Sequence, residues 1–106
     1  HTDCGGIKNA YNLYQNKNNN NYLFINKWLN IIQPAFKKIS KELPKNIKIE
    51  LLEQESLKNS INNLSNFPFI LKAVENKKLS IHGLLHDISS GNLKYLNPNS
   101  EKFEMV

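Results

Sequence analysis

Apolar residues in this chain recur at helical spacing first and at alternate positions later. Ile7, Ala10, Tyr11 and Tyr14 fall three and four residues apart, predicting a short helix behind the flexible pair Gly5-Gly6. Asn16-Lys17-Asn18-Asn19-Asn20-Asn21 has no apolar side chain to bury and reads as a mobile surface loop. Phe24, Trp28, Ile31, Ile32, Ala35, Phe36 and Ile39 then make one continuous stripe, the mark of a core or interface helix. Pro34 removes a backbone donor and bends or divides that helix near Gln33, and Leu43-Pro44 closes it. Leu51, Leu52, Leu57, Ile61 and Leu64 predict a third helix over about 48–64. Pro68 suits the first turn of a fourth, which carries Phe69, Ile70, Ala73 and Val74 and ends by Asn76.

The period then changes. Leu79, Ile81, Gly83 and Leu85 alternate with Ser80, His82, Leu84 and His86, as in a strand with one face covered. Ser89-Ser90-Gly91-Asn92 turns the chain, Leu93–Leu96 reads as a second strand, and Asn97-Pro98 ends the pairing. Two strands alone do not make a stable sheet. The hairpin is therefore expected to lie on the helices or to join strands that this chain does not contain.

Composition narrows the function classes. The net charge of +5 comes from fourteen lysines without a single arginine, spread over every segment and not gathered with aromatics on one face. That pattern is a solubility surface, and it excludes a nucleic-acid interface, where clustered arginine supplies bidentate and stacking contacts. No run of about 18 apolar residues occurs, so no membrane span is expected. Cys4 is the only cysteine, which rules out an internal disulfide and fits a reducing, cytoplasmic setting. A chain that opens on histidine instead of methionine is expected to be a processed or partial product.

Several separated stretches, in order, resemble β-class carbonic anhydrases of the bacterial type. They are His1-Thr2-Asp3-Cys4-Gly5-Gly6, Trp28-Leu29 with Ile32-Gln33-Pro34-Ala35, and Glu53-Gln54-Glu55. Asn63-Leu64, Phe67-Pro68-Phe69, Leu79-Ser80-Ile81-His82-Gly83, Asp87-Ile88, Gly91-Asn92-Leu93 and Leu96-Asn97-Pro98 continue the series over nearly the whole chain. The resemblance implies an α/β fold, of which residues 1–106 are the carboxy-terminal half of one domain. In that half, helices are followed by a terminal strand hairpin that would join a mostly parallel central sheet. The other half would carry a Cys-x-Asp-x-Arg motif.

The same resemblance implies zinc-dependent, reversible hydration of carbon dioxide to bicarbonate, with His1 and Cys4 as two zinc ligands. A histidine nitrogen and a thiolate three residues on can reach one ion when the backbone turns between them. A site of two cysteines, one histidine and one open position cannot be completed here, because the second thiolate is lacking. Gly5 is expected to present its backbone N–H to substrate or bicarbonate at the helix start, or else to be a point of tight packing. Asp3 is not expected to ligate, and His82 and His86 read as structural or solvent-facing. The resemblance further implies a homodimer or tetramer in which Trp28, Phe36 and the hairpin serve packing and subunit contact. The competing expectation is a non-catalytic remnant or oligomerisation fragment without the Cys-x-Asp-x-Arg half.

Overall fold

The computed structural model describes residues 1–16 and 22–106. Helix α1 runs Gly5–Asn16, α2 Leu23–Leu29, α3 Gln33–Lys37, α4 Lys45–Ser65 and α5 Pro68–Glu75; strands β1 Leu84–His86, β2 Leu93–Leu96 and β3 Phe103–Met105 follow. Residues 17–21, most of the asparagine-rich stretch read as a loop, lie outside the described residues, while Asn16 closes α1.

Prolines set several boundaries as expected. Pro44 precedes α4 as its cap, and Pro68 opens α5 at the position where its missing N–H would have no helical partner anyway. Within α4, Lys58 pairs with Glu55 at 3.0 Å one turn apart, and Lys38 reaches Glu55 at 3.9 Å from beyond α3. Solvent still reaches both pairs, so each is worth about 1 kcal/mol or less.

The core forms where α1, α3 and α4 meet. Ile7 and Tyr11 of α1, Ala35 of α3 and Leu52 of α4 are buried together, with Cys4, Ile32, Phe36, Ile39 and Ile49 packed around them. Tyr11 meets Phe36 edge-on and Tyr14 meets it tilted, with ring centroids 6.0 and 5.2 Å away. The Tyr14 hydroxyl donates to the Leu29 carbonyl and ties α1 to the end of α2.

One apolar stripe from Phe24 to Ile39 does not survive folding. Phe24, Trp28 and Ile31 are exposed (83%, 60% and 54%), whereas Leu29 and Ala35 are buried and Phe36 is half-buried. The reason is geometric. Between α2 and α3, residues Asn30–Ile32 form a 3₁₀ turn. Three residues at 3.0 per turn advance about 60° further than three at 3.6, so the stripe leaves one face and resumes on another.

The sheet is antiparallel in the order β1-β2-β3, with Leu84 opposite Tyr95 and Tyr95 opposite Glu104. Alternation across 81–86 holds, with Gly83 and Leu85 buried and His82, Leu84 and His86 exposed. The ladder itself is shorter than the pattern, because β1 covers only Leu84–His86. Strand β3 was not expected, since Asn97-Pro98 read as the end of pairing. The turn there follows the plan of the first hairpin. Asp87 N donates to Asn92 O and Gly91 N to Asp87 O; equally, Asn97 N donates to Lys102 O and Glu101 N to Asn97 O. Gly91 at φ 76° and Glu101 at φ 56° occupy the same left-handed position. A glutamate where glycine is usual hides the second turn from sequence reading.

The sheet meets α4 closely. A Cβ on Gly83 would stand 2.8 Å from Ile61 Cδ1 and 3.1 Å from Leu96 Cβ, so only glycine lets the β1 approach sit this near the helix. That contact brings the end of β1 over α4 and beside the first four residues.

Candidate metal centre

Cys4 stands at the threshold of α1, its carbonyl accepting Lys8 N at 3.0 Å as the first bond of the helix. The residues before it are held from three directions. Thr2 N donates to the His86 carbonyl at 2.9 Å, which adds the chain start to the end of β1. The Thr2 hydroxyl donates to Asp87 Oδ1 at 3.1 Å and accepts from Ile88 N at 3.2 Å. Asp3, in the left-handed region at φ 55°, donates its N–H to Glu53 Oε1 of α4 at 2.8 Å.

The turn brings two donors together. His1 and Cys4 line one open cavity of about 220 Å³, together with Ile7, Glu53, Leu57 and Leu85 among others. His1 Nδ1 lies 2.8 Å from the Thr2 carbonyl. A carbonyl oxygen only accepts, so Nδ1 is the donor in this contact and Nε2 is the nitrogen left to meet a metal. Cys4 is a half-buried free thiol at the threshold of α1. Nitrogen and sulfur donors of this kind are those zinc takes. Among the described residues no three His, Cys, Asp or Glu side chains gather where they could hold a metal ion.

Other residues fall clear of this cavity. His82 and His86 are exposed, His82 tilted against the Tyr95 ring at 6.3 Å and His86 contributing only its carbonyl. Asp3 turns its carboxylate to Lys8 and away from ligation. Gly5 begins α1 with nothing within 4 Å of where a Cβ would stand, so tight packing does not require glycine there. Gly6 is the packed one, with Trp28 Cη2 3.2 Å and Cys4 Sγ 3.7 Å from its would-be Cβ.

Two acidic groups that sequence reading left without a role frame the turn. Glu53 is 7% exposed, and burial pushes its carboxyl above the ordinary range while N–H groups of Asp3 and Cys4 pull it back. Asp87 lies at the far side, held well below the usual carboxylate range by Ser90 and Ser89 hydroxyls, with Thr2 adding to them. Glu53 had a legible signal, because it follows Ile49 by four residues and adjoins Leu52 on the inward stripe of α4. Asp87-Ile88-Ser89-Ser90 likewise reads as a turn whose aspartate caps itself, though nothing local names Thr2 as a further donor.

A larger cavity of about 590 Å³ lies between α4 and the sheet, lined by Lys38, Glu55, Lys58, Gly83 and Tyr95. Lys38 and Lys58 both pair with Glu55 there, and His1 and Cys4 are not part of it.

Comparison with known proteins places this arrangement in a class. The carbonic anhydrase family profile matches residues 1–93, and the chain belongs to that family. Within it the relationship is to the β class. Beta carbonic anhydrase 3 of Arabidopsis thaliana is 32% identical over 94 residues, covering 86% of this chain and 36% of that protein. The solved structure of the β-carbonic anhydrase CcaA superposes with a TM-score of 0.86 at 21% identity, covering 100% of this chain and 48% of that one. The chain thus spans about a third of the curated relative and about half of the solved chain, and its helices and three-stranded sheet are part of a β-carbonic anhydrase fold. No helix of the described residues is long and apolar enough to cross a membrane.

Proposed function

We propose that this chain supplies the histidine and one cysteine of a zinc centre that reversibly hydrates carbon dioxide to bicarbonate. The observation carrying this reading is that His1 and Cys4 line one cavity at the start of α1. Family membership over residues 1–93 supports the reaction class. His1 through Nε2 and Cys4 through its thiolate would hold the ion, and ligands from outside these residues would complete it. Zinc held this way supplies Lewis acidity that ionises water near neutral pH.

The chain's own part is to orient. Thr2 and Asp3, fixed to β1 and α4, hold the turn that carries the two donors. The Gly5 N–H, in the first turn with no helical acceptor, is proposed to meet an oxygen of substrate or bicarbonate. Gly5→Pro removes the donor at a position where proline is tolerated, and because the ring also restricts Cys4 before it, the rate is read beside zinc content: a lower rate with zinc retained is expected. The exposed face of Phe24, Trp28 and Ile31 is assigned to subunit contact in a homodimer or tetramer, and the single free thiol fits a cytoplasmic setting.

The deciding experiment measures zinc content and carbon dioxide hydration in the full-length protein and in Cys4→Ser. Loss of both is expected. Undiminished zinc and rate in the variant would overturn the assignment. A second reading, a non-catalytic remnant, draws on the absence of a three-donor cluster among the described residues. It predicts neither zinc nor turnover in the wild-type protein.

A further inference from the structure

Glu53 is 7% exposed and, with Leu52, is one of the two buried residues of α4. A carboxylate so withdrawn from water needs hydrogen-bond donors to offset its desolvation. Its donors come from another element, 50 residues away in the chain. Asp3 N donates to Oε1 at 2.8 Å, and the neighbouring Cys4 N–H acts on the same carboxyl, lowering it against the effect of burial. These two N–H groups precede the first turn of α1, and one of them belongs to Cys4 itself.

The backbone between His1 and Cys4 turns through the left-handed region at Asp3, φ 55°, a conformation that aspartate adopts more readily than most side-chain-bearing residues. The turn is held from both sides. Thr2, bonded to His86 and Asp87, fixes the near side of the turn; Glu53 fixes the far side. The geometry points to Glu53 as a positioning residue: its carboxylate clamps the Asp3 and Cys4 N–H groups and thereby sets Cys4 Sγ against His1 for metal binding. This inference rests on the assignment of His1 and Cys4 as zinc ligands.

Glu53 is not itself a third ligand. It lines the same cavity, yet it forms no three-donor group with His1 and Cys4, and its acceptor capacity is turned to the backbone. It acts on the ion through the turn, as groups behind metal ligands generally do by fixing ligand orientation.

The test is zinc affinity, measured in the full-length protein by competition with a chromogenic chelator well below the unfolding transition. Glu53→Ala removes the acceptor and lowers affinity about 10–100-fold. Glu53→Gln retains one acceptor oxygen and stays within about tenfold of wild type, a rescue that bare volume filling does not give. Glu53→Met fills the space without an acceptor and must behave like Ala; it carries the test if Ala does not fold. A second readout is independent of metal. Iodoacetamide alkylation of Cys4 in zinc-free protein, followed on the peptide containing it, is faster in Ala and Met than in Gln.

Cys4→Ser separates the two levels of the argument. If Cys4→Ser loses zinc while Ala and Met bind it like wild type, Glu53 has no positioning role and the inference is overturned. If Cys4→Ser binds zinc undiminished, the ligand assignment fails and the inference fails with it.

Discussion

His1-Thr2-Asp3-Cys4 contains no large apolar side chain, yet residues 2–4 bond to the end of β1, to Asp87 and to Glu53 of α4. Leu23–Leu29 contains Phe24, Ile25 and Trp28, yet all three are more than half exposed, and the helix is held through Leu29, the Tyr14 hydroxyl and the edge of Trp28 on Gly6. The polar segment is the anchored one, and the apolar segment lies on the outside. Anchoring here follows where other elements place complementary groups. Hydropathy of the segment alone decides neither case, because a buried carboxylate can fix a backbone that no apolar side chain could.

The strongest way to break this contrast is at the shared support. Leu52 is fully buried in the core and adjoins Glu53, so its side chain sets the depth at which the clamp sits. Leu52→Ala is expected to cost about 2–5 kcal/mol in urea unfolding, the range for emptying a closed core site. A cost under 1 kcal/mol would mean that the inner region is as loosely packed as the outer.

The next effect is at Gly83, where β1 crosses α4. Gly83→Ala drives a Cβ toward Ile61 Cδ1, which can swing aside, and toward Leu96 Cβ, which cannot. Overpacking of this kind costs about 1–3 kcal/mol. It also moves the end of β1, so the Thr2 tie to His86 should weaken, visible as faster amide exchange at Thr2.

Thr2 sharpens the comparison further, because its hydroxyl both donates and accepts. Thr2→Val keeps the shape and deletes both bonds, at an expected cost of about 1 kcal/mol. The acid side of the same tie has a defined sign. Asp87 is held below the ordinary carboxylate range by its Ser90, Ser89 and Thr2 donors, so its stabilisation is complete above about pH 4, where the unfolded group is ionised. It is lost as pH falls through the depressed folded value. The urea midpoint of the wild type should therefore fall more steeply below pH 4 than that of Asp87→Asn, and parallel curves would remove Asp87 from the anchor.

Much of this molecule was legible in order and less so in space. Period and proline placed all the longer helices, because an amphipathic stripe and a missing N–H act locally. The resemblance singled out His1 and Cys4, and folding sets them on one cavity. The clamp behind them was not legible. Glu53 and Asp3 lie 50 residues apart, and no local rule pairs a helix carboxylate with a distant backbone N–H. Strand β3 escaped for a different reason, since Glu101 holds a left-handed turn position that composition assigns to glycine. The split stripe failed at three residues, Asn30–Ile32, whose tighter winding no periodicity count registers.

The smallest effect is the most informative about the outer region. Phe24 is 83% exposed, so replacing it removes little buried surface from the chain itself. At dilutions where the wild type is also unassembled, Phe24→Ser should change the urea midpoint by no more than about 0.5 kcal/mol equivalent, the usual range for surface substitutions. Sedimentation velocity on the same variant then isolates the role assigned to this face. If α2 serves subunit contact, the variant keeps its fold and loses assembly, because a ring that covers no core of its own has its apolar surface free for a second chain. If stability falls by several kcal/mol instead, Phe24 is buried by its own protein, and the outer region joins the anchored one.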